Sequence, residues 1–234
     1  EVIRVAIEHT KKRVPVIAGT GSNDTKYALE LSIEAKEAGA DGLLVVSPYY
    51  NKTSQQGLIN HYNMIANNCD CPIIVYNVPS RTGMNIKPQT YAELSKHKNI
   101  VGIKEANGNI SEIAQTMALC GDNIDLYSGN DDQITALLSL GGAGVISVLS
   151  NVAPQLTHDM CVSFFNGNVE KSRQLQLDNL ELCNALFCDV NPIPVKEALN
   201  MMGWKTGQCR MPLAPLSAEN RGLLENTFKK YGLI

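Results

Sequence analysis

The sequence is short of charge and of aromatic rings. Charged residues make up 18% of its 234 residues and aromatic residues 6%, with a single Trp. The formal net charge is −3, so no basic surplus draws the chain to nucleic acid or to an anionic membrane. No apolar run approaches the roughly 20 residues needed to span a bilayer, so no membrane partner is expected. Glu1-Val2-Ile3-Arg4 does not read as the start of a signal peptide. There are four histidines, and the pair Cys69-Asp70-Cys71 has neither zinc-finger spacing nor a second pair to complete it. A metal site is therefore not expected. Gly19-Thr20-Gly21 and Gly142-Ala143-Gly144 each lack the third glycine of a dinucleotide fingerprint, which argues against a nucleotide cofactor.

Seven cysteines are present, an odd number in a long chain. That pattern predicts free thiols in a reducing, cytoplasmic compartment rather than a disulfide framework. A chain of this length can bury roughly 70–75% of its unfolded surface and needs no covalent staples.

One pattern recurs along the chain: a short apolar run, a loop, then a stretch of helical periodicity. The runs are Pro15–Ala18, Gly42–Val46, Ile73–Tyr76, Ile100–Ile103, Asp125–Tyr127 and Gly144–Val148. Their apolar residues stand back to back, as in parallel strands buried on both faces. The helical stretches between them are Asp24–Ala38, Ser54–Asn67, Pro88–Lys96, Ser111–Leu119 with Ser111 as cap, and Asp131–Leu140; a further helix opens the chain at Val2–Lys12. Beyond Val152 the segments Gln155–Phe165, Val169–Phe187, Pro194–Met202 and Ala218–Tyr231 read as helices with no further strand. Strands alternating with helices imply an α/β fold with a parallel sheet. Period alone does not separate a closed barrel from an open doubly wound sheet.

In a β/α barrel the chemistry sits at the C-terminal ends of strands. Four apolar runs end in polar residues: Tyr76-Asn77, Lys104-Glu105, Ser47-Pro48-Tyr49-Tyr50 and Ser147. Lys104 follows Val-Gly-Ile and starts beside dry walls, where desolvation disfavours the ammonium. Bringing a lysine from roughly 10.4 to near neutrality takes about 4 kcal/mol, and the free amine can then form a Schiff base. The plainer alternative is a lysine that ends a strand and extends into water. Tyr76, ending the preceding strand, would stand beside Lys104, and its hydroxyl can both give and take a proton. Alternatively it is a packing tyrosine. Arg81, in the loop Pro79-Ser80-Arg81-Thr82-Gly83, can grip a carboxylate with two parallel hydrogen bonds, or be an ordinary surface arginine.

These segments together resemble the dihydrodipicolinate synthase (4-hydroxy-tetrahydrodipicolinate synthase) and N-acetylneuraminate lyase superfamily. The resemblance is carried by Ala18-Gly19-Thr20-Gly21, Ser47-Pro48-Tyr49-Tyr50-Asn51, Tyr76 through Gly83, Gly102-Ile103-Lys104-Glu105-Ala106, Ser128-Gly129-Asn130-Asp131, Gly144 through Val148 and Asn191 through Lys196, in the family's order. The Pro79-Ser80-Arg81 block resembles the synthases rather than the neuraminate lyases. The resemblance implies that Lys104 condenses with pyruvate and that Tyr76 relays protons. It implies that Arg81 binds the carboxylate of aspartate semialdehyde, with the Ile146 carbonyl beside the imine and Gly129 and Asn130 lining the pocket. It makes Tyr50 the tyrosine that reaches a neighbouring subunit's site in a homo-oligomer, a dimer of dimers, working without metal or organic cofactor in lysine and diaminopimelate synthesis.

The same resemblance frames the fold as a TIM (β/α)8-type barrel lacking its first two strands in this chain. It places barrel strands 3–8 in residues 1–167 and a C-terminal helical appendage in 168–234. Family members begin with about two more β/α units, which carry a Thr-Thr pair of the proton relay. The expectation is therefore a fragment or truncation, with weak or no synthase activity alone unless a separate N-terminal fragment completes it. Lysine-inhibited relatives carry a glutamate where Tyr27 stands here, so only weak inhibition by lysine is expected. The competing readings are a related pyruvate-dependent sugar-acid aldolase and a non-catalytic remnant.

Overall fold

The structure is a computed structural model that describes all 234 residues. It divides into two compact units, residues 1–129 with 140–143, and residues 130–139 with 144–234.

The first unit is built on five parallel strands, each paired with the next in chain order: β1 (Ile17–Gly19), β2 (Gly42–Val46), β3 (Ile73–Asn77), β4 (Ile100–Glu105) and β5 (Asp125–Ser128). Their helices are α1 (Val2–Thr10), α2 (Thr25–Glu37), α3 (Gln55–Asn68), the single turn α4 (Pro79–Thr82), α5 (Pro88–Leu94) and α6 (Ile110–Cys120). Side-chain oxygens start three of them: Asp24 accepts from the Tyr27 amide, Ser54 from Gly57 and Asn109 from Glu112. Leu43, Val45, Ile73, Ile100 and Ile103 from the strands, with Leu58, Tyr62, Ile65, Tyr91, Leu94 and Ile113 from the helices, are fully or almost fully buried. Each such side chain contributes roughly 1.5–3 kcal/mol of burial.

Two buried polar groups sit in this apolar layer. The Tyr62 hydroxyl donates to the Val45 carbonyl at 3.2 Å. His61 meets the Thr25 hydroxyl through Nδ1 at 2.9 Å, whereas its buried Nε2 has no partner. Burial lowers the His61 pKa from 6.5 to about 4, against the pull of Asp24, so the ring is neutral at physiological pH.

Several boundaries differ from the sequence reading, each for a local reason. Strand β1 starts two residues later than Pro15; proline has no N–H for a ladder, and Val16 is held instead by Asp41, whose carboxylate takes its amide at 2.8 Å. Strand β4 runs two residues further and takes in Lys104 and Glu105. Asn109, not Ser111, caps α6, because its Oδ1 reaches the Glu112 amide at 3.2 Å. Arg81 lies in the turn of α4, not in an irregular loop; Gly83, at φ 67°, closes that turn by donating to the Pro79 carbonyl at 2.9 Å.

The second unit is mostly helical: α7 (Ile134–Ser139), α8 (Pro154–Phe165), α9 (Val169–Asp178), α10 (Leu180–Ala185), α11 (Ile193–Met201) and α12 (Ala218–Lys230). The expected run Gly144–Val148 forms only a two-residue strand, β6 (Gly144–Val145), and a 3-10 turn follows at Leu149–Asn151. The single helix expected over Val169–Phe187 is broken at Asn179. There the Asn179 side-chain amide donates to the Leu175 carbonyl at 2.8 Å and the Tyr231 hydroxyl donates to that of Asp178 at 2.8 Å, replacing the helix's own donors. Ile134, Leu149, Met160, Leu186, Ala198, Leu224 and Phe228 centre its core.

Candidate active site

Strand registry decides what meets at the C-terminal ends of the sheet. Val46 pairs with Tyr76, Tyr76 with Lys104, and Lys104 with Tyr127, so these four form one tier across β2 to β5. Side chains alternate along a strand, so a tier on one face is backed by a second tier on the other. The next residues, Asn77 and Glu105, pair in turn, and Glu105 pairs with Ser128. Asn77, Glu105 and Ser128 are all buried.

The first tier carries the nucleophile. Lys104 is half-buried, and its Nζ lies 4.3 Å from the centroid of the Tyr76 ring. The ring covers the lysine nitrogen on one side, and its quadrupole attracts the ammonium form. Burial pushes the Tyr76 phenol above its ordinary 10, with Arg81 pulling it back down, so near pH 7 the phenol carries its proton. Burial also raises the Tyr127 phenol, with Asp125 adding to it.

Beside this pair opens a cleft of about 360 Å³, whose walls include Gly21, Val46, Tyr49, Tyr76, Val78 and Arg81. Its lining is largely apolar, with one guanidinium and two phenols among its walls, the usual composition of a small-molecule site. Gly21 is there because nothing larger fits: a Cβ would come within 2.5 Å of the Val46 backbone nitrogen.

The sequence-derived residues are distributed as follows. Lys104 and Tyr76 meet directly, and Tyr76 shares the cleft with Arg81. Tyr50 is not in the cleft. It is 91% exposed on left-handed backbone, φ 68°, and its neighbour Tyr49 lines the cavity instead. Gly129 follows β5 and donates its amide to the Glu105 carbonyl at 2.7 Å. A Cβ there would approach that oxygen to 3.0 Å and the Ala106 methyl to 2.7 Å. Asn130 and Ile146 belong to the second unit, both half-buried. The sequence marks Tyr49, Asn77 and Glu105 as polar residues at strand ends without giving them a role, and it does not mark Tyr127. For Asn77 and Glu105 the available signal was period-two alternation, which turns the residue after each reactive one to the other face; Tyr127 is marked only by its rung opposite Lys104. No group of three or more His, Cys, Asp or Glu is arranged to hold a metal ion. No helix is long and apolar enough to cross a membrane.

Residues 1–231 match the Dihydrodipicolinate synthetase family. The chain is 54% identical to 4-hydroxy-tetrahydrodipicolinate synthase 1 of Clostridium acetobutylicum over 234 residues, all of this chain and 80% of that one. Among solved structures, dihydrodipicolinate synthase from Thermotoga maritima is 46% identical with a TM-score of 0.97, covering 100% of this chain and 80% of that chain. The chloride-inhibited dihydrodipicolinate synthase of Acinetobacter baumannii, complexed with pyruvate, is 41% identical, also at 0.97, with 100% and 80% covered. The fold is the one these synthases share, of the TIM-barrel type.

Proposed function

The chain belongs to the dihydrodipicolinate synthetase family, and from that premise we propose that Lys104 carries its reaction as a Schiff base, with Tyr76 handling protons and Arg81 seating the second substrate. The reaction is the condensation of pyruvate with aspartate 4-semialdehyde to 4-hydroxy-tetrahydrodipicolinate, a step toward lysine and diaminopimelate.

The chemistry runs on this chain's own groups. The neutral Lys104 amine adds to C2 of pyruvate, and the carbinolamine loses water to leave an iminium. That cation is the electron sink: a C3 proton leaves, and the resulting enamine carbon bonds to the aldehyde carbon, whose oxygen takes up a proton. The amine of the semialdehyde then displaces Lys104 from C2, closing the ring and restoring the free lysine. No metal or organic cofactor is needed, since the imine itself supplies the activation. Because burial keeps the Tyr76 phenol protonated, it acts first as a donor, to the oxygen that leaves as water. Arg81, exposed at the cleft wall, offers a fork of donors to the carboxylate of the semialdehyde.

The observation that carries this reading is the Lys104 nitrogen 4.3 Å over the Tyr76 ring, on one tier of the ladder. Tyr50, exposed on a strained backbone, suits a residue that completes a neighbouring subunit's site, so the working form is a homo-oligomer of tight dimers. In this proposal residues 1–167 form barrel strands 3–8 with their helices, and residues 168–234 form a helical appendage. Seven free cysteines support a reducing, cytoplasmic setting. The direct test is product formation from pyruvate and aspartate semialdehyde, set beside pyruvate with a sugar-acid aldehyde. Preference for the sugar-acid aldehyde would overturn the substrate assignment.

A further inference from the structure

The buried tier behind Tyr76 and Lys104 takes no part in the bond-making steps, yet it holds a carboxylate where one is costly. Glu105 is 3% exposed and has no cationic partner. Three donors converge on it instead. The Asn77 amide donates to its two oxygens at 3.0 and 3.2 Å, the Tyr91 hydroxyl at 3.0 Å and the Asn107 backbone N–H at 2.9 Å. Asn77 is tied further: its Nδ2 reaches Asn85 Oδ1 at 2.8 Å, and its Oδ1 takes the Ile86 amide at 3.2 Å. These bonds pinch the neck of segment 78–86, which carries Arg81. Asn85 and Asn107 then both donate to Glu112 Oε2, at 2.9 and 3.2 Å, while Lys87 holds the other Glu112 oxygen at 3.2 Å.

We propose that Glu105 is a positioning residue for the imine chemistry. Through Asn77, Asn85, Glu112 and Asn107 it closes a hydrogen-bonded ring that locks the Tyr76–Lys104 pair and the Arg81 turn into one reacting geometry. The inference rests on the Schiff-base reading of Lys104. Asn77 and Glu105 are each one peptide unit from Tyr76 and Lys104, and the two pairs are adjacent rungs of the same ladder. A slip in the buried pair is therefore passed directly to the reacting pair, and misplacement of about 1 Å is costly in rate. The donor set suits an ionised carboxylate, which only accepts; a proton or an amide N–H on Glu105 would face donors. Burial meanwhile raises its pKa to about 7, with Asn77, the Asn107 backbone N–H, Tyr91 and the Ala106 backbone N–H pulling down. The other ionisable groups around it are Tyr91 on α5, Tyr62 on α3, Cys120 on α6 beside Tyr91, and Glu112 with Lys87 on the outer side of the ring.

The test is the rate at which cyanoborohydride, which survives this range, traps pyruvate on Lys104 between about pH 6 and 9, in the unsubstituted protein, Glu105→Gln and Tyr91→Phe. Melting curves establish that each variant is folded. Glu105→Gln should trap about 10-fold more slowly or worse and lose the fall in rate below about pH 7. Tyr91→Phe should keep that fall but move its midpoint upward, because a donor that favours the ionised form is gone. Should Glu105→Gln fail to fold, the midpoint in Tyr91→Phe decides. Unsubstituted rates and midpoints in the folded variants would overturn the positioning role. Absence of any adduct in the unsubstituted protein would instead sink the Schiff-base reading.

Discussion

Glu105 and His61 should give the protein two opposed pH dependences that nearly cancel. Glu105 is raised from 4.5 to about 7 in the fold. Between those values the folded chain holds a proton that the unfolded chain has released, so stability falls as pH rises. At about 1.36 kcal/mol per pH unit, the whole window is worth about 3 kcal/mol. His61 is lowered from 6.5 to about 4. Here the unfolded chain holds the extra proton, so stability rises with pH from about 4 to 6.5, by about 3 kcal/mol again. Over the shared range, about pH 4.5 to 6.5, the two slopes offset each other. Glu105→Gln removes one of them and His61→Gln the other. Urea unfolding at several pH values reads the result as a difference from the parent, in which any constant cost of the substitution cancels. Relative to the parent, Glu105→Gln should gain about 3 kcal/mol between pH 4.5 and 7. His61→Gln should lose about 3 kcal/mol between pH 4 and 6.5. A pH-independent difference for either variant would refute the claim that burial governs that group's ionisation.

The remaining predictions concern the cleft. Tyr76→Phe should lower kcat about 100-fold or more while leaving the protein folded, since it removes a proton donor and little volume. Arg81→Ala should raise KM for aspartate semialdehyde by about 10- to 100-fold, read by steady-state kinetics, with pyruvate trapping on Lys104 unchanged. Lysine should bind weakly: Tyr27, more than half exposed in the first turn of α2, offers no carboxylate to its ammonium. Calorimetry showing micromolar lysine binding would contradict that.

How much of this was legible in the sequence depended on distance along the chain. The order of the strand runs, the helix start at Ser54 and the adjacency of Tyr76 to Lys104 follow from local pattern, because consecutive apolar runs joined by helices pair in chain order; the bounds of the first and last runs do not. At α6 the sequence is ambiguous, because Asn109 and Ser111 both have the chemistry of a cap; only the approach of Asn109 to the Glu112 amide selects between them. The break at Asn179 was hidden for a different reason. A side chain there satisfies a carbonyl that a continuing helix would have used, and Tyr231, 53 residues away, satisfies another.

The site divides the same way. Lys104, Tyr76 and Arg81 each carry distinctive chemistry at a strand end, and a single sequence can point to them. The ring around Glu105 joins residues as far as 28 positions apart, Asn77 to Glu105 and Asn85 to Glu112 among them, and no local pattern announces such partners. Period-two alternation at the tips of β3 and β4 does imply that Asn77 and Glu105 turn away from Tyr76 and Lys104. It does not say that Tyr91 will meet the carboxylate there. Tyr49 and Tyr50 show the limit at its smallest scale: adjacent and identical in type, one lines the cleft and the other stands exposed because the backbone turns left-handed at Tyr50.

The most direct measurement is borohydride reduction of the protein in the presence of pyruvate, followed by intact mass and peptide mapping. A single reduced pyruvyl adduct on Lys104, absent in Lys104→Ala, is the predicted result. No adduct, or an adduct on another lysine with Lys104 unmodified, would contradict the account.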